Sequence, residues 1–301
     1  MAFRTLEISK PSDVHVHKQQ LEIANEEGTI KIPLEDLSTI VCSGANIRMS
    51  TMAQAMMAER GISLMVIDEK YQPACIVLPI KSNVRQTMVM RKQIALEKET
   101  KNGIWSEMIN RKIENQAMAL TILGKDGSEK IAAHTKRIGV DDIDSVEANA
   151  AKDYFYHLHP GINRRIDSPL NSCLNYGYAV LRNAIIRSSI LAGFQLSIGI
   201  HHDNYLNTFN LADDLIEPWR PFVDLIAAPE PGMDIILSKS KRRELAMVLH
   251  HACVINGRKM SVLTGIDEMV ASLRERVVSE SGACLKLPTL IPIEVIESIK
   301  E

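Results

Sequence analysis

Residues 168–193 read SPLNSCLNYGYAVLRNAIIRSSILAG, and this stretch sets the fold class. Ser168 is a helix-capping residue placed ahead of Pro169, whose fixed φ suits the first helical position. From Leu170 to Ala192 the chain has the length and apolar content of a core helix, and Gly193 stands where such a helix stops. Upstream, residues 141–160 read DDIDSVEANAAKDYFYHLHP. Asp142 and Asp144 are cap candidates there, and Glu147, Ala151 and Tyr154 or Phe155 recur at three-to-four-residue spacing on one face. These two elements predict a helical domain.

Working towards the N-terminus, the helical character extends from about Val84 to Leu123, with Gly103 as a candidate break and Gly124–Gly127 as a turn. Residues 1–80 read differently. Arg4–Ile8 is a short strand, Val14–Ala24 and Thr29–Ile32 pair through the Glu26-Glu27-Gly28 turn, and Ile62–Ile67 and Cys75–Ile80 return to strand character. One helix interrupts them, from Ser50 to Arg60 with Gly61 as its stop. The first 80 residues carry 7 basic and 10 acidic side chains, so they are the more acidic part. The expected class is α+β: a small β-rich domain over residues 1–80, then a mainly α-helical catalytic domain over residues 81–301.

A chain of 301 residues with 46% hydrophobic and 24% charged residues supplies a substantial core and excludes wholesale disorder. Its formal charge of -2 excludes a histone-like basic protein but not nucleic-acid binding, which local fields also direct. No apolar run reaches the roughly 18–20 residues that span a bilayer, and the N-terminus lacks the basic-then-apolar order of a signal peptide, so the cytoplasm is expected. The five cysteines are scattered without a CxxC pair, so most of them read as small core residues rather than a disulfide framework or zinc knot. No GxGxxG follows a strand, against a dinucleotide enzyme.

The chemistry concentrates in residues 199–224, GIHHDNYLNTFNLADDLIEPWRPFVD. His201 and His202 precede a polar loop, and Leu211–Glu217 reads as a short helix ended by Pro218 and Pro221. Asp214 and Glu217 are three apart, and Asp213 and Glu217 four apart, so these carboxylates share a helical face. Oxygen ligands suit magnesium or manganese, manganese also accepts imidazole, and Glu147 offers a third side chain. By spacing alone, the same residues suit solvated helix charges and a hydrogen-bonded core histidine equally well. His15, His17, His157, His159 and the His250-His251 pair have no ligand pattern that supports a separate site.

The phrases Glu147 with Ala150-Ala151 and Tyr154-Phe155, then LNSCLNYGYAVLR, then the His-…-Asn-Leu-Ala-Asp-…-Glu-Pro-Trp-Arg-Pro run resemble the CRISPR-associated integrase family, the metal-dependent nuclease subunit of the spacer-acquisition complex. The forms look most like its type II branch, and the β-rich start and helical remainder extend the likeness over almost the whole chain. The resemblance implies Glu147, His202 and Glu217 as ligands of Mg2+ or Mn2+, with Asp214 supporting them and Asp213 a weaker candidate. It implies attack of a DNA 3′-hydroxyl on a phosphodiester at the array edge. Its partners would be double-stranded DNA, both spacer precursor and repeat array, a second copy of the chain, and the small CRISPR-associated adaptation subunit. An accessory DNA-end-binding protein and an RNA-guided effector nuclease are expected beside them. One departure is Ser168, which stands between Asp167 and Pro169 where the family often has Asp-Pro.

Phosphate contacts are expected from Lys152, Arg164, Arg165, Arg182, Arg187 and Arg220, and from the dense run Lys239, Lys241, Arg242 and Arg243. Each of these also reads as an ordinary surface ion pair. Tyr154, Tyr176 and Tyr178 read as core residues with a hydroxyl at the edge, and Trp219 as a packing wedge. Two rival functions remain at this stage: an unrelated metal-dependent phosphoesterase or ribonuclease, and a non-enzymatic DNA-binding scaffold.

Overall fold

The computed structural model describes residues 4–68, 73–77, 83–137, 143–161, 163–164, 166–228, 236–279 and 284–295. The chain divides into two compact units, the first ending at Val84 and the second beginning at Arg85.

The first unit holds two four-stranded sheets and one helix. Strands β1 (Arg4–Ile8), β5 (Leu37–Cys42), β7 (Ser63–Ile67) and β8 (Pro73–Val77) form one sheet in the order β1-β5-β7-β8. Strands β2 (Ser12–His17), β3 (Gln20–Asn25), β4 (Gly28–Pro33) and β6 (Ile47–Met49) form the other, in the order β4-β3-β2-β6. Every residue of β5 is buried, as befits a strand flanked by parallel β1 and β7. Val14, Leu21, Ile23, Leu37, Ile40 and Leu64 share one apolar core with Met57 of α1 (Thr51–Glu59). Ser50 caps α1 by accepting from the Ala53 N–H at 3.2 Å, and Gly61 follows it at φ 66°.

The expected continuous strand over Val14–Ala24 is instead a hairpin. Lys18 and Gln19 turn the chain between β2 and β3 with φ of 48° and 65°, the left-handed pair that a two-residue hairpin turn demands. Neither residue is the Asn or Gly that signals such a turn. The surrounding structure holds it: the Gln19 carbonyl accepts from the Leu34 N–H, and its side chain from Arg60. The hairpin through Glu26 and Glu27 forms as its sequence predicts, with Asn25 paired to Gly28.

The second unit is mainly helical: α2 (Gln86–Ile94), α3 (Lys98–Ile122), α4 (Ser128–Ala133), α5 (Ile143–Leu158), α6 (Pro169–Ala192), α7 (Asn210–Leu215), α8 (Arg220–Ala227), α9 (Lys239–Ala246) and α10 (Val262–Ser279). A small antiparallel sheet joins them, in the order β10 (Arg258–Ser261), β9 (His251–Ile255), β11 (Thr289–Val295). Ser168 caps α6 by accepting from the Asn171 N–H, Pro169 opens the helix, and Gly193 closes it at φ 93°. α6 is buried along most of its length, with α7, α8, α9 and α10 packed around it. α3 packs against α4, α5, α8, β11 and the 3-10 turn Glu217–Trp219.

Two further expectations are corrected. The break in the Val84–Leu123 run falls between Ile94 and Lys98, not at Gly103, which lies inside α3. The roughly 1 kcal/mol cost of one glycine is outweighed by the long buried face of that helix. The helix expected over Leu211–Glu217 stops at Leu215; Glu217 opens a tighter turn with Pro218, and Pro221 starts α8 rather than ending a helix. Cys42, Cys173 and Cys253 are buried while Cys75 and Cys284 are exposed; all five are free. Asp142 lies outside the described residues. Among those described, no helix is long and apolar enough to cross a membrane.

Candidate active site

Three elements of the second unit close on one ammonium. Lys112, midway along α3, reaches Glu147 of α5 and lies 2.5 Å from Oε2 of Glu217 in the turn after α7. The Glu147 contact is a hydrogen bond. The Glu217 contact is a buried ion pair. The other oxygen of Glu217 accepts from Arg220 Nε at 2.8 Å. Burial alone would raise the Glu217 pKa, but Arg220 and Lys112 hold it down to about 2. Burial likewise works against the charge on Lys112, yet Glu217 and Glu147 keep its pKa above the ordinary lysine value. Lys112 and Glu217 are therefore both ionised at neutral pH.

His202 belongs to a second cluster, built around Asp214. This aspartate is fully buried on α7 and accepts from the backbone N–H groups of Ile200, His201 and His202 at 2.5, 3.1 and 3.0 Å. It also holds His202 Nδ1 at 2.7 Å. Gly199 permits this wrapping, because a Cβ there would stand 2.2 Å from the His202 carbonyl oxygen and 2.8 Å from Asp214 Oδ2. The hydrogen bond to Asp214 is the main cause of a raised His202 pKa, reinforced by the Asp214, Glu217 and Asp213 charges. With Nδ1 engaged, Nε2 is the nitrogen left to face a ligand. Asp213, one residue away, is spent elsewhere: Arg182 grips it through two nitrogens at 2.6 and 2.9 Å, and Asn207 adds a third bond.

α3 braces both clusters. Trp105 stacks on His201 with ring centroids 4.2 Å apart and planes 4° from parallel, and meets His202 edge-on. Asn115 donates to the Pro218 carbonyl at 2.9 Å and the Pro288 carbonyl at 3.0 Å, and accepts from the Leu290 N–H. Trp105, Lys112 and Asn115 lie seven and three residues apart, on one side of the helix. Sequence reading missed all three. The available signal was a lysine and an asparagine inside the stripe Trp105, Met108, Ile109, Lys112, Asn115, Ala119, all of it buried.

Behind Glu217 stands an aromatic wall. Arg220 lies 4.7 Å from the Tyr178 ring centroid, and the Tyr178 and Tyr154 hydroxyls both donate to buried Asp224. Burial pushes the Asp224 carboxyl up to about 6, against the lowering effect of those hydrogen bonds and of Arg220. Trp219 is fully buried, its Nε1 3.3 Å from Met269 Sδ.

The remaining basic candidates are dispersed. Lys152 is exposed on α5. Arg164 binds Asn171 and Asn175 and lies beside the Phe155 and Tyr178 rings, whereas Arg165 lies outside the described residues. Arg182 is committed to Asp213 and stacks over Phe209. Arg187 is buried beside Asp267, 3.6 Å away, which places it in the interior rather than on a surface. On α9, Lys241 and Arg242 are tied to the Ile226 and Leu237 carbonyls, while Lys239 and Arg243 are exposed.

A β-rich unit followed by a helical unit, with an acid pair, a histidine and a bracing aspartate, has the make-up of a metal-dependent nuclease. The family model for CRISPR associated protein Cas1 matches residues 6–229, and the chain belongs to that family. It is 31% identical to a CRISPR-associated endonuclease Cas1 of Neisseria meningitidis serogroup C (strain 8013), over 98% of each chain. Its fold is similar to that of a casposase bound to integration product, with a TM-score of 0.74 and 18% identity over 94% of this chain and 92% of that one. It is also similar to a chain of a Cas6-RT-Cas1–Cas2 complex, with a TM-score of 0.73 and 15% identity over 95% of this chain and 36% of that one. Its activity is accordingly of the Cas1 type, that of an endonuclease and integrase. The family is metal-dependent; among the described residues, no three His, Cys, Asp or Glu side chains converge closely enough to hold a metal ion as they stand. The donors nonetheless fit one, because Glu147 and Glu217 are already drawn onto a single positive charge.

Proposed function

We propose that this chain inserts spacer DNA into a CRISPR array: a DNA 3′-hydroxyl attacks a phosphodiester at the array edge, forming one P–O bond as another breaks. The catalytic domain is residues 81–301, preceded by the β-rich residues 1–80. Glu147, His202 and Glu217 hold a divalent cation, Mg2+ or Mn2+, and Asp214 supports them. The observation that carries this reading is the pair of carboxylates sharing one positive charge, in the same unit as a histidine whose Nδ1 a buried aspartate fixes. Paired carboxylates suit a hard cation, and imidazole is acceptable to manganese. When bound, the cation polarises the scissile phosphate and offsets charge on the attacking or departing oxygen.

The protein's own groups do the positioning. Asp214 sets the tautomer and direction of His202, Arg220 keeps Glu217 anionic, and the Tyr178 ring, its hydroxyl tied to Asp224, backs Arg220. Lys152, Arg164, Lys239 and Arg243 are the basic side chains best placed to meet DNA phosphates. The substrates are double-stranded spacer precursor and repeat DNA, and the working form is a homodimer joined by the small adaptation subunit in the cytoplasm. Two DNA ends call for two centres at a fixed separation, which a two-fold assembly supplies. The type II likeness adds an accessory DNA-end-binding protein and the RNA-guided effector nuclease.

The deciding experiment is strand transfer into a repeat-containing duplex, with and without the small subunit, in Mg2+, Mn2+ or EDTA. Metal-dependent joining that Glu147→Gln abolishes, in a protein that still folds and binds DNA, is the expected result. Normal joining by that variant would remove the assignment.

A further inference from the structure

Lys112 stands where two ligands of the proposed metal meet. Its side chain is only 8% exposed, and its ammonium touches both Glu147 and Glu217. A buried cation between two carboxylates is a local structural necessity, because removing it leaves two anions facing each other, one of them fully enclosed. The two cations on Glu217 differ in kind. Arg220 binds Oε1 as a planar fork lodged against the Tyr178 ring. Lys112 approaches Oε2 as a compact point charge on a flexible four-carbon stem. Such a stem can withdraw by side-chain rotation alone, leaving the backbone of α3 in place. A small hard cation asks of Glu147 and Glu217 what the ammonium already takes from them: anionic oxygens around a single positive centre.

We propose that Lys112 is the resident cation of the metal-free site: its ammonium holds Glu147 and Glu217 together and competes with the divalent metal for the same two carboxylates, so that metal entry and Lys112 withdrawal are one event. The inference rests on the reading of Glu147 and Glu217 as metal ligands. It gives the site a defined shape before metal enters and sets metal affinity below what the bare carboxylates would provide.

Manganese binding to the full chain, measured by titration calorimetry and by the electron paramagnetic resonance of free Mn2+, tests it. Lys112→Met keeps the stem and removes the charge, and is expected to bind Mn2+ at least tenfold more tightly than wild type. Lys112→Arg, which keeps the charge, is expected to bind no more tightly than wild type. Wild-type or weaker affinity in Lys112→Met overturns the proposal. Glu147→Gln separates the two readings: unchanged Mn2+ affinity there overturns the metal-site assignment and this inference with it. Lost affinity in Glu147→Gln with no gain in Lys112→Met defeats the inference alone. Should Lys112→Met fail to fold, the wild-type protein still decides. The side-chain ammonium resonance of Lys112, identified by its loss in Lys112→Arg, must move when Mg2+ binds; a resonance that stays fixed under saturating Mg2+ overturns the proposal.

Discussion

The two units bury different things. Among the described residues, the buried polar side chains of the first unit are hydroxyls: Ser12, Ser38, Thr39 and Ser63. Its charges pair at the periphery, as Lys31 does with Glu22 and Lys10 with Glu27. The second unit buries Lys112, Arg187, Asp214, Glu217 and Asp224. Desolvating an ion costs several kcal/mol that its partner only partly returns, so buried charge is a poor way to gain stability. A chain that, among its described residues, keeps one unit free of enclosed charge and concentrates it in the other is using the second for chemistry. Enclosed charge marks the reactive region more clearly than fold class does.

The contrast breaks first at Glu217. Glu217→Gln strips Arg220 of its carboxylate and leaves Lys112 with Glu147 alone, and is expected to cost roughly 3–5 kcal/mol of stability as well as the activity. Denaturant unfolding beside the strand-transfer assay measures both, and a variant as stable as wild type would show that the charges are not coupled. Ile40→Ala in the first unit is expected to cost about 2–4 kcal/mol through its cavity, while the Mn2+ affinity of the folded protein stays at the wild-type value. A changed metal affinity there would join what the comparison separates.

Smaller effects sharpen the picture. His202→Ala and Asp214→Asn are each expected to weaken Mn2+ binding by roughly 10–100-fold, as losses of a ligand and of its orienting partner do, with a lesser effect from His201→Ala. Neutralising Lys239, Lys241, Arg242 and Arg243 together should lower DNA affinity and reduce the log–log salt slope by about 0.9 per lost duplex phosphate contact. Since Lys241 and Arg242 are tied to carbonyls, the Lys239 and Arg243 double variant is expected to account for most of that change. Unchanged affinity and slope in the quadruple variant would make α9 an ordinary solvated face.

The smallest expected effect is a pH dependence. The Asp224 carboxyl, raised to about 6 in the fold, binds its proton more readily folded than unfolded. Its cost to stability is full above pH 6 and is relieved as pH falls towards the ordinary carboxylate range. Between pH 7 and 5, wild type should therefore gain stability relative to Asp224→Asn. Glu217 acts with the opposite sign: its contribution is present above its ordinary value and is lost only as pH falls towards 2. Parallel stability curves for the two proteins between pH 7 and 5 would count against the raised value.

The features legible in the sequence were those that local rules impose. Ser168, Pro169 and Gly193 announced α6, and Gly28 announced its hairpin, because caps and turns are decided within a few residues. Glu147, His202, Asp214 and Glu217 stood out through a long motif. Lys112 did not, since its partners lie 35 and 105 positions away and its only local mark is its place in the buried stripe of α3. The Lys18–Gln19 turn was hidden for a similar reason, its left-handed backbone being held by Leu34 and Arg60. Charge compensation and imposed backbone conformation are both settled by contacts that sequence spacing does not contain.

Asn115 ties the proline after Glu217 to the chain at Pro288 and Leu290. The stretch that carries the family signature ends at residue 229, yet the turn presenting Glu217 is moored to Pro288 and Leu290, some sixty residues further on. A protein trimmed to its signature would keep every acidic residue and histidine of the centre and lose the mooring. In this chain, the part that identifies the enzyme is smaller than the part that must be intact for Glu217 to be aimed.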